Sequence, residues 1–191
     1  MTVAELTKPR AKAQRPWTYD EMLAELPETN LPTELWDGEL VMSPTPNPSH
    51  QTIVLGFARL LQDFVASRKA GTVFISPLDV VLSPHRVVQP DLFFISTGRS
   101  WIVSDKVRGA PDLVIEVLSP NPRIGRTEER VQWFAEYGVR ECWLLDQQSV
   151  SMAVLQFANQ RVMMRTVFDR RSPIVSGVLP EFGSSVSEML R

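Results

Sequence analysis

The chain has 191 residues, 43% of them hydrophobic, and 20 basic against 22 acidic side chains give a net charge of −2. That size and apolar content suit one core and make two cramped, and the near-neutral balance excludes a protein that grips nucleic acid through a global basic field. A single cysteine, Cys142, excludes an internal disulfide, and with no Cys/His zinc cluster, no secretory segment and no apolar run near the roughly 18 residues that span a bilayer, the chain is read as soluble and cytoplasmic, without a membrane partner.

Residues 1–16 carry Lys8, Arg10, Lys12 and Arg15 against Glu5 and show little apolar periodicity, so a flexible basic arm is predicted ahead of one domain over 17–191. Thr18-Tyr19-Asp20-Glu21 has capping-box spacing and predicts a short helix that stops before Pro27. Asp37-Gly38, between Glu34-Leu35-Trp36 and Glu39-Leu40-Val41-Met42, predicts a two-residue hairpin. Asn47-Pro48 is a helix cap followed by proline at the first helical position. Ile53, Val54, Phe57, Leu60, Leu61, Phe64 and Val65 then recur at helical spacing as far as Gly71.

Strands are predicted over about 73–82, 87–95 and 112–118. A second helix follows from Arg126 to Tyr137, stopped by Gly138. Another strand runs over Glu141–Asp146, and a hairpin of about 150–157 and 161–168 completes the regular structure. Stripped of its ends, the order is helix, three strands, helix, strand. A helix that crosses over between strands implies a parallel pair inside a mixed α/β sheet with helices on its faces.

Two acids stand against apolar runs. Glu116 lies within Leu113-Val114-Ile115-Glu116-Val117-Leu118, and Asp91 follows Gln89-Pro90 and precedes Leu92-Phe93-Phe94-Ile95. A carboxylate inside an apolar strand requires a cation, a metal or several hydrogen bonds, so two of them on neighbouring strands point to a metal site.

This order, with an acid at the start of the second strand and another in the third, resembles the core of the PD-(D/E)xK nuclease superfamily. The stretches Glu34–Val41, Val87–Phe94, Gly109–Pro120, Gly138–Asp146 and Ser172–Gly177 are similar to the Uma2 family of restriction-endonuclease-like proteins, also called the DUF820 group. The resemblance implies an αβββαβ core, with the N-terminal helix and hairpin and the C-terminal hairpin as additions. It also implies an endonuclease that cleaves phosphodiesters, with DNA as the partner and Mg²⁺ or Mn²⁺ as the cofactor. The ion would be held by Asp91, Glu116 and the main-chain carbonyl of Val117.

The superfamily's lysine falls on Leu118, and the acid and lysine that Uma2 members carry on the next helix fall on Arg126 and Arg130. Lysine is scarce throughout: Lys8, Lys12, Lys69 and Lys106 are all there is. Arginine stays protonated, so Arg130 can neutralise charge on a phosphoryl group but cannot act as a general base. The alternative is therefore a catalytically inactive nuclease fold that serves as a binding or assembly module.

Other residues have plainer readings beside the functional one. Arg123, Arg126 and His50 are candidates for contact with substrate phosphate, against ion pairing with Glu128 and Glu129 for the arginines and a helix-start role for the histidine. Asp79 faces either the same cleft or solvent, Asp112 is read as structural, and one of Glu34 and Glu39 can approach the site or pair with arginine. Trp36, Trp101, Trp133 and Trp143 are read as core or interface residues. Exposed strand edges predict a homodimer.

Overall fold

The computed structural model describes residues 15–27, 32–42, 45–118 and 126–190. Helix α1 (Tyr19–Glu25) starts with the expected capping box: the Thr18 hydroxyl accepts from the Glu21 backbone N–H, and the Glu21 carboxylate accepts from the Thr18 backbone N–H at 2.9 Å. Strands β1 (Thr33–Trp36) and β2 (Glu39–Met42) are joined by Asp37 and Gly38, both at positive φ (51° and 83°), the geometry of the predicted tight hairpin. Helix α2 (Pro48–Arg68) begins with the Asn47 side chain accepting from the His50 backbone N–H at 2.8 Å. It buries Ile53, Val54, Phe57, Leu61 and Val65, and each fully buried member of that stripe contributes about 1.5–3 kcal/mol.

The remaining elements are β3 (Gly71–Ile75), β4 (Val80–Ser83), β5 (Arg86–Val88), β6 (Leu92–Ser96), a 3₁₀ turn (Thr97–Ile102), β7 (Val107–Arg108), β8 (Leu113–Leu118), α3 (Thr127–Tyr137), β9 (Glu141–Asp146), β10 (Ser151–Ala158), β11 (Arg161–Phe168) and α4 (Val186–Met189). They form two mixed sheets, one ordered β2-β1-β5-β4-β7 and the other β11-β10-β9-β8-β6-β3. Strands β8 and β9 run parallel, joined through α3 as the crossover rule requires. Gly138, at φ 92°, ends α3.

Two expectations are corrected. The stretches 73–82 and 87–95 are not single strands. Each is a pair whose members lie in different sheets: β3 and β6 belong to the six-stranded sheet, β4 and β5 to the five-stranded one. Pro77 and Pro90 lie in the breaks, where a residue without an N–H interrupts the ladder. Two sheets, rather than one, therefore build the molecule.

Alternate residues of the central strands face different cores. Leu92, Phe94, Leu113, Ile115 and Val117 pack on α2 and on the C-terminal residues Ile174, Leu179, Phe182, Val186 and Met189. Phe93, Ile95, Val114, Cys142 and Leu144 pack on α3 and on the five-stranded sheet through Trp36, Val80, Leu82 and Val88. Helix α1 covers the far side of the five-stranded sheet with Tyr19 and Met22 on Leu35 and Val87.

The C-terminal segment is tied to the sheet by a buried acid the sequence reading did not single out. Glu141, fully buried, accepts from Trp143 Nε1 (2.7 Å), Ser176 Oγ (2.5 Å), the Gly177 backbone N–H (2.8 Å) and Gln156 Nε2 (3.3 Å). Removing the acceptor strands several buried donors, each at about 1–3 kcal/mol. Glu141→Ala is expected to lose about 2–4 kcal/mol in urea unfolding, and a loss below 1 kcal/mol would contradict this role. Asp112 is structural, as expected: buried at the start of β8, it accepts from the Ser96 backbone N–H (2.8 Å) and Arg99 Nη1 (3.3 Å).

Candidate active site

The β6–β8 pairing is antiparallel, with Leu92 opposite Ile115 and Phe93 opposite Val114. Carrying that register one residue further sets Asp91 opposite Glu116. Asp91 immediately precedes β6, and its side chain is placed by its own partners, at the end of β8 beside Glu116. Asp91 Oδ2 accepts from the Val117 backbone N–H at 2.8 Å and lies 3.2 Å from His50 Nε2 at the start of α2. His50 also lies against the Val117 main chain and feels the charge of Glu116, so histidine, both acids and the Val117 backbone occupy one place.

Glu116 meets Arg130, projecting from the first turns of α3. Arg130 Nη2 donates to Glu116 Oε1 at 2.5 Å, and Nη1 donates to Glu34 Oε2. Glu34, 2% exposed on β1, also accepts from Trp36 Nε1 and from the Gln89 backbone N–H, both at 2.6 Å. The Arg130 and Arg126 guanidinium groups lie 5.7 Å and 4.9 Å from the Trp36 ring, whose edge meets Trp133 at 5.3 Å. Two carboxylates thus hold one buried guanidinium, Glu116 from the six-stranded sheet and Glu34 from the five-stranded sheet, and Asp91 acts on Glu116 from beside it.

The electrostatics follow from that count. Burial pushes the Glu116 carboxyl up to about 7; Arg130 pulls against this, and Asp91 and Glu34 add to it. The hydrogen bond to Asp91 raises the His50 imidazole above its ordinary value, against the opposing effect of burial. The Arg130 guanidinium is held charged: burial opposes the charge, and Glu116 and Glu34 overcome it.

A family-wide sequence comparison matches residues 19–187 to Uma2, described as "Putative restriction endonuclease". The chain belongs to the Uma2 family. Among solved structures it is similar to a "putative nuclease belonging to DUF820" from Anabaena variabilis. The TM-score is 0.78 at 22% identity, covering 92% of this chain and 98% of the other. That likeness establishes a nuclease-like α+β fold. No curated protein matches the chain.

In this Uma2 chain the predicted pair Asp91 and Glu116 come together, with Val117 and His50 beside them and Arg130 on Glu116. Arg126 turns to Glu129 (2.5 Å) at the N-cap of α3, the plainer of its two readings, and Arg123 lies outside the described residues. Asp79 is not on the acid pair: it accepts from the Tyr19 hydroxyl (2.6 Å), Gln89 Nε2 (2.7 Å) and Lys106 Nζ (3.3 Å). Lys106, spent on Asp79, does not replace the lysine missing at Leu118. Glu34 rather than Glu39 approaches the site. Its signal in the sequence is its spacing of two from Trp36, which puts both side chains on one strand face. Trp36, Trp133 and Trp143 are buried, whereas Trp101 is 77% exposed on the 3₁₀ turn and is not a core residue.

The donor set suits a hard cation. Among the described residues no three His, Cys, Asp or Glu side chains converge as a complete metal cage. Two carboxylates with a neighbouring carbonyl nevertheless match Mg²⁺ or Mn²⁺, which retain waters and take few protein ligands. The surplus of negative charge around Glu116 acts in the same direction.

The raised Glu116 carboxyl has a consequence for stability. Over the range from its ordinary 4.5 to about 7 the folded chain keeps a proton that the unfolded chain has lost, so folding stability falls as pH rises through that window. The raised imidazole of His50 acts in the same direction, since the stability it contributes is lost as pH rises through its folded pKa. Urea unfolding between about pH 5 and pH 8 is expected to show the decline, and Glu116→Gln to flatten it. An unchanged slope in the variant would refute the assignment.

Proposed function

We propose that this Uma2 protein is a metal-dependent nuclease that hydrolyses phosphodiester bonds in DNA. The observation that carries the reading is the placement of Asp91 against the Val117 backbone N–H, beside Glu116, in surroundings where carboxylates outnumber cations. Asp91, Glu116 and the Val117 carbonyl would hold a Mg²⁺ or Mn²⁺ ion. When bound, that ion would supply Lewis acidity toward the phosphodiester and the attacking water. Arg130 neutralises charge that develops on the phosphoryl oxygens, and its permanent protonation leaves it no role as a base. His50 holds Asp91 in place.

The test is cleavage of supercoiled plasmid and of single-stranded DNA with Mg²⁺, with Mn²⁺ and with chelator. Cleavage with either ion that stops with chelator supports the reading, and equal cleavage in chelator overturns it. One observation favours the second reading, a binding or assembly module: Arg130 already engages Glu116, and Leu118 occupies the lysine position. Calorimetric titration of Mg²⁺ and Mn²⁺ separates the two, since a non-catalytic module takes up neither ion at these acids.

A further inference from the structure

Glu34 is the more buried of the two carboxylates that hold Arg130, and nothing in a two-acid cation site calls for it. It comes from the other sheet and cannot follow the guanidinium, because the Trp36 indole N–H and the Gln89 backbone N–H pin both of its oxygens at 2.6 Å. The Trp36 ring that supplies one of those bonds is itself fixed edge-on against Trp133. Arg130 reaches Glu34 with Nη1 and Glu116 with Nη2, so the two acids hold different nitrogens of one planar fork.

We propose that Glu34 is a positioning residue that retains Arg130 beside the cleft. It shares the guanidinium with Glu116 while no cation is bound and keeps it alone once a divalent cation engages Glu116. The inference rests on the metal-dependent reading above.

The physical case is a competition for one carboxylate. Arg130 and a divalent cation both require Glu116, and a buried guanidinium left without a counter-charge is strongly disfavoured. Without Glu34, every cation taken up would strand Arg130, and the ion pair with Glu116 would win more often. With Glu34 fixed, release from Glu116 leaves Nη1 paired and frees Nη2, at the acid pair, to donate to a phosphodiester oxygen. Cation loading therefore comes before phosphate engagement by Arg130, and the site binds in that order.

Mn²⁺ binding by isothermal titration near pH 8 tests this without reference to cleavage, with far-UV circular dichroism as the check on folding. Glu34→Gln is expected to weaken Mn²⁺ by about tenfold or more, and Arg130→Gln, which removes the competitor, to tighten it by a similar factor. Glu34→Asp keeps the charge and is expected to stay within about threefold of wild type. Should Glu34→Gln fail to fold, the double variant Glu34→Gln/Arg130→Gln removes the ion pair together and is expected to bind at least as tightly as wild type. Wild-type binding with Glu34→Gln unchanged, Arg130→Gln weakened or the double variant weakened overturns the inference and leaves the metal-dependent reading standing. No Mn²⁺ uptake by wild type overturns both.

Discussion

Glu116→Gln is expected to lower metal-dependent DNA cleavage by about 10³-fold or more, equivalent to about 4 kcal/mol of lost transition-state stabilisation. The substitution keeps shape and removes one of two neighbouring carboxylates, Asp91 just before β6 and Glu116 on β8. The neutral amide is a poor ligand for a hard cation. The fold is expected to stand, because Arg130 retains Glu34 as its ion-pair partner. Initial rates on plasmid DNA with Mn²⁺, taken beside the urea midpoint of each protein, separate lost chemistry from lost structure. Equal rates in the two proteins would discard Glu116 as a site residue.

The largest effect on stability is expected from Arg130→Met. The side chain fills similar space, but Glu34 and Glu116 then face each other with no cation between them. Breaking a buried ion pair from one side typically costs about 3–5 kcal/mol. Urea unfolding at pH 8 reads the loss directly. Pairing Arg130→Met with Glu116→Gln and Glu34→Gln removes the uncompensated charges and should return more than half of the loss, the sign of a coupled network. Arg126→Ala, which severs a largely exposed pair with Glu129, is the control and is expected to change stability by less than about 1 kcal/mol. A loss under 1 kcal/mol in Arg130→Met would mean that the triad carries no net electrostatic coupling.

Local signals in the sequence were good guides to local structure. The caps at Thr18 and Asn47 and the Asp37-Gly38 turn depend on residues within a few positions of each other, the crossover through α3 depends on elements consecutive in the chain, and all appear as read. The division of 73–82 and 87–95 between two sheets was not legible, because apolar residues continue on both sides of each break and the partner strands are distant in the chain. Pro77 and Pro90 mark where those strands stop and say nothing of the sheet they leave for. The acid pair was legible since each carboxylate stands against an apolar run. Glu34 was legible only as one of two candidates, with Glu39, for approach to the site or pairing with arginine; its partner Arg130 was not, because the two stand nearly a hundred positions apart. Of the two readings given to Trp101, core or interface, its 77% exposure on the 3₁₀ turn removes the first.

The cleft is assembled from both sheets, with Glu34 contributed by one, Asp91 and Glu116 by the other, and Arg130 by the helix that follows. A ribosome must release the chain past Arg130 before the last of these can reach the first, so a half-synthesised polypeptide cannot bring the four side chains together. Convergence of these four side chains is therefore a property of the folded tertiary structure and of no single segment of the chain.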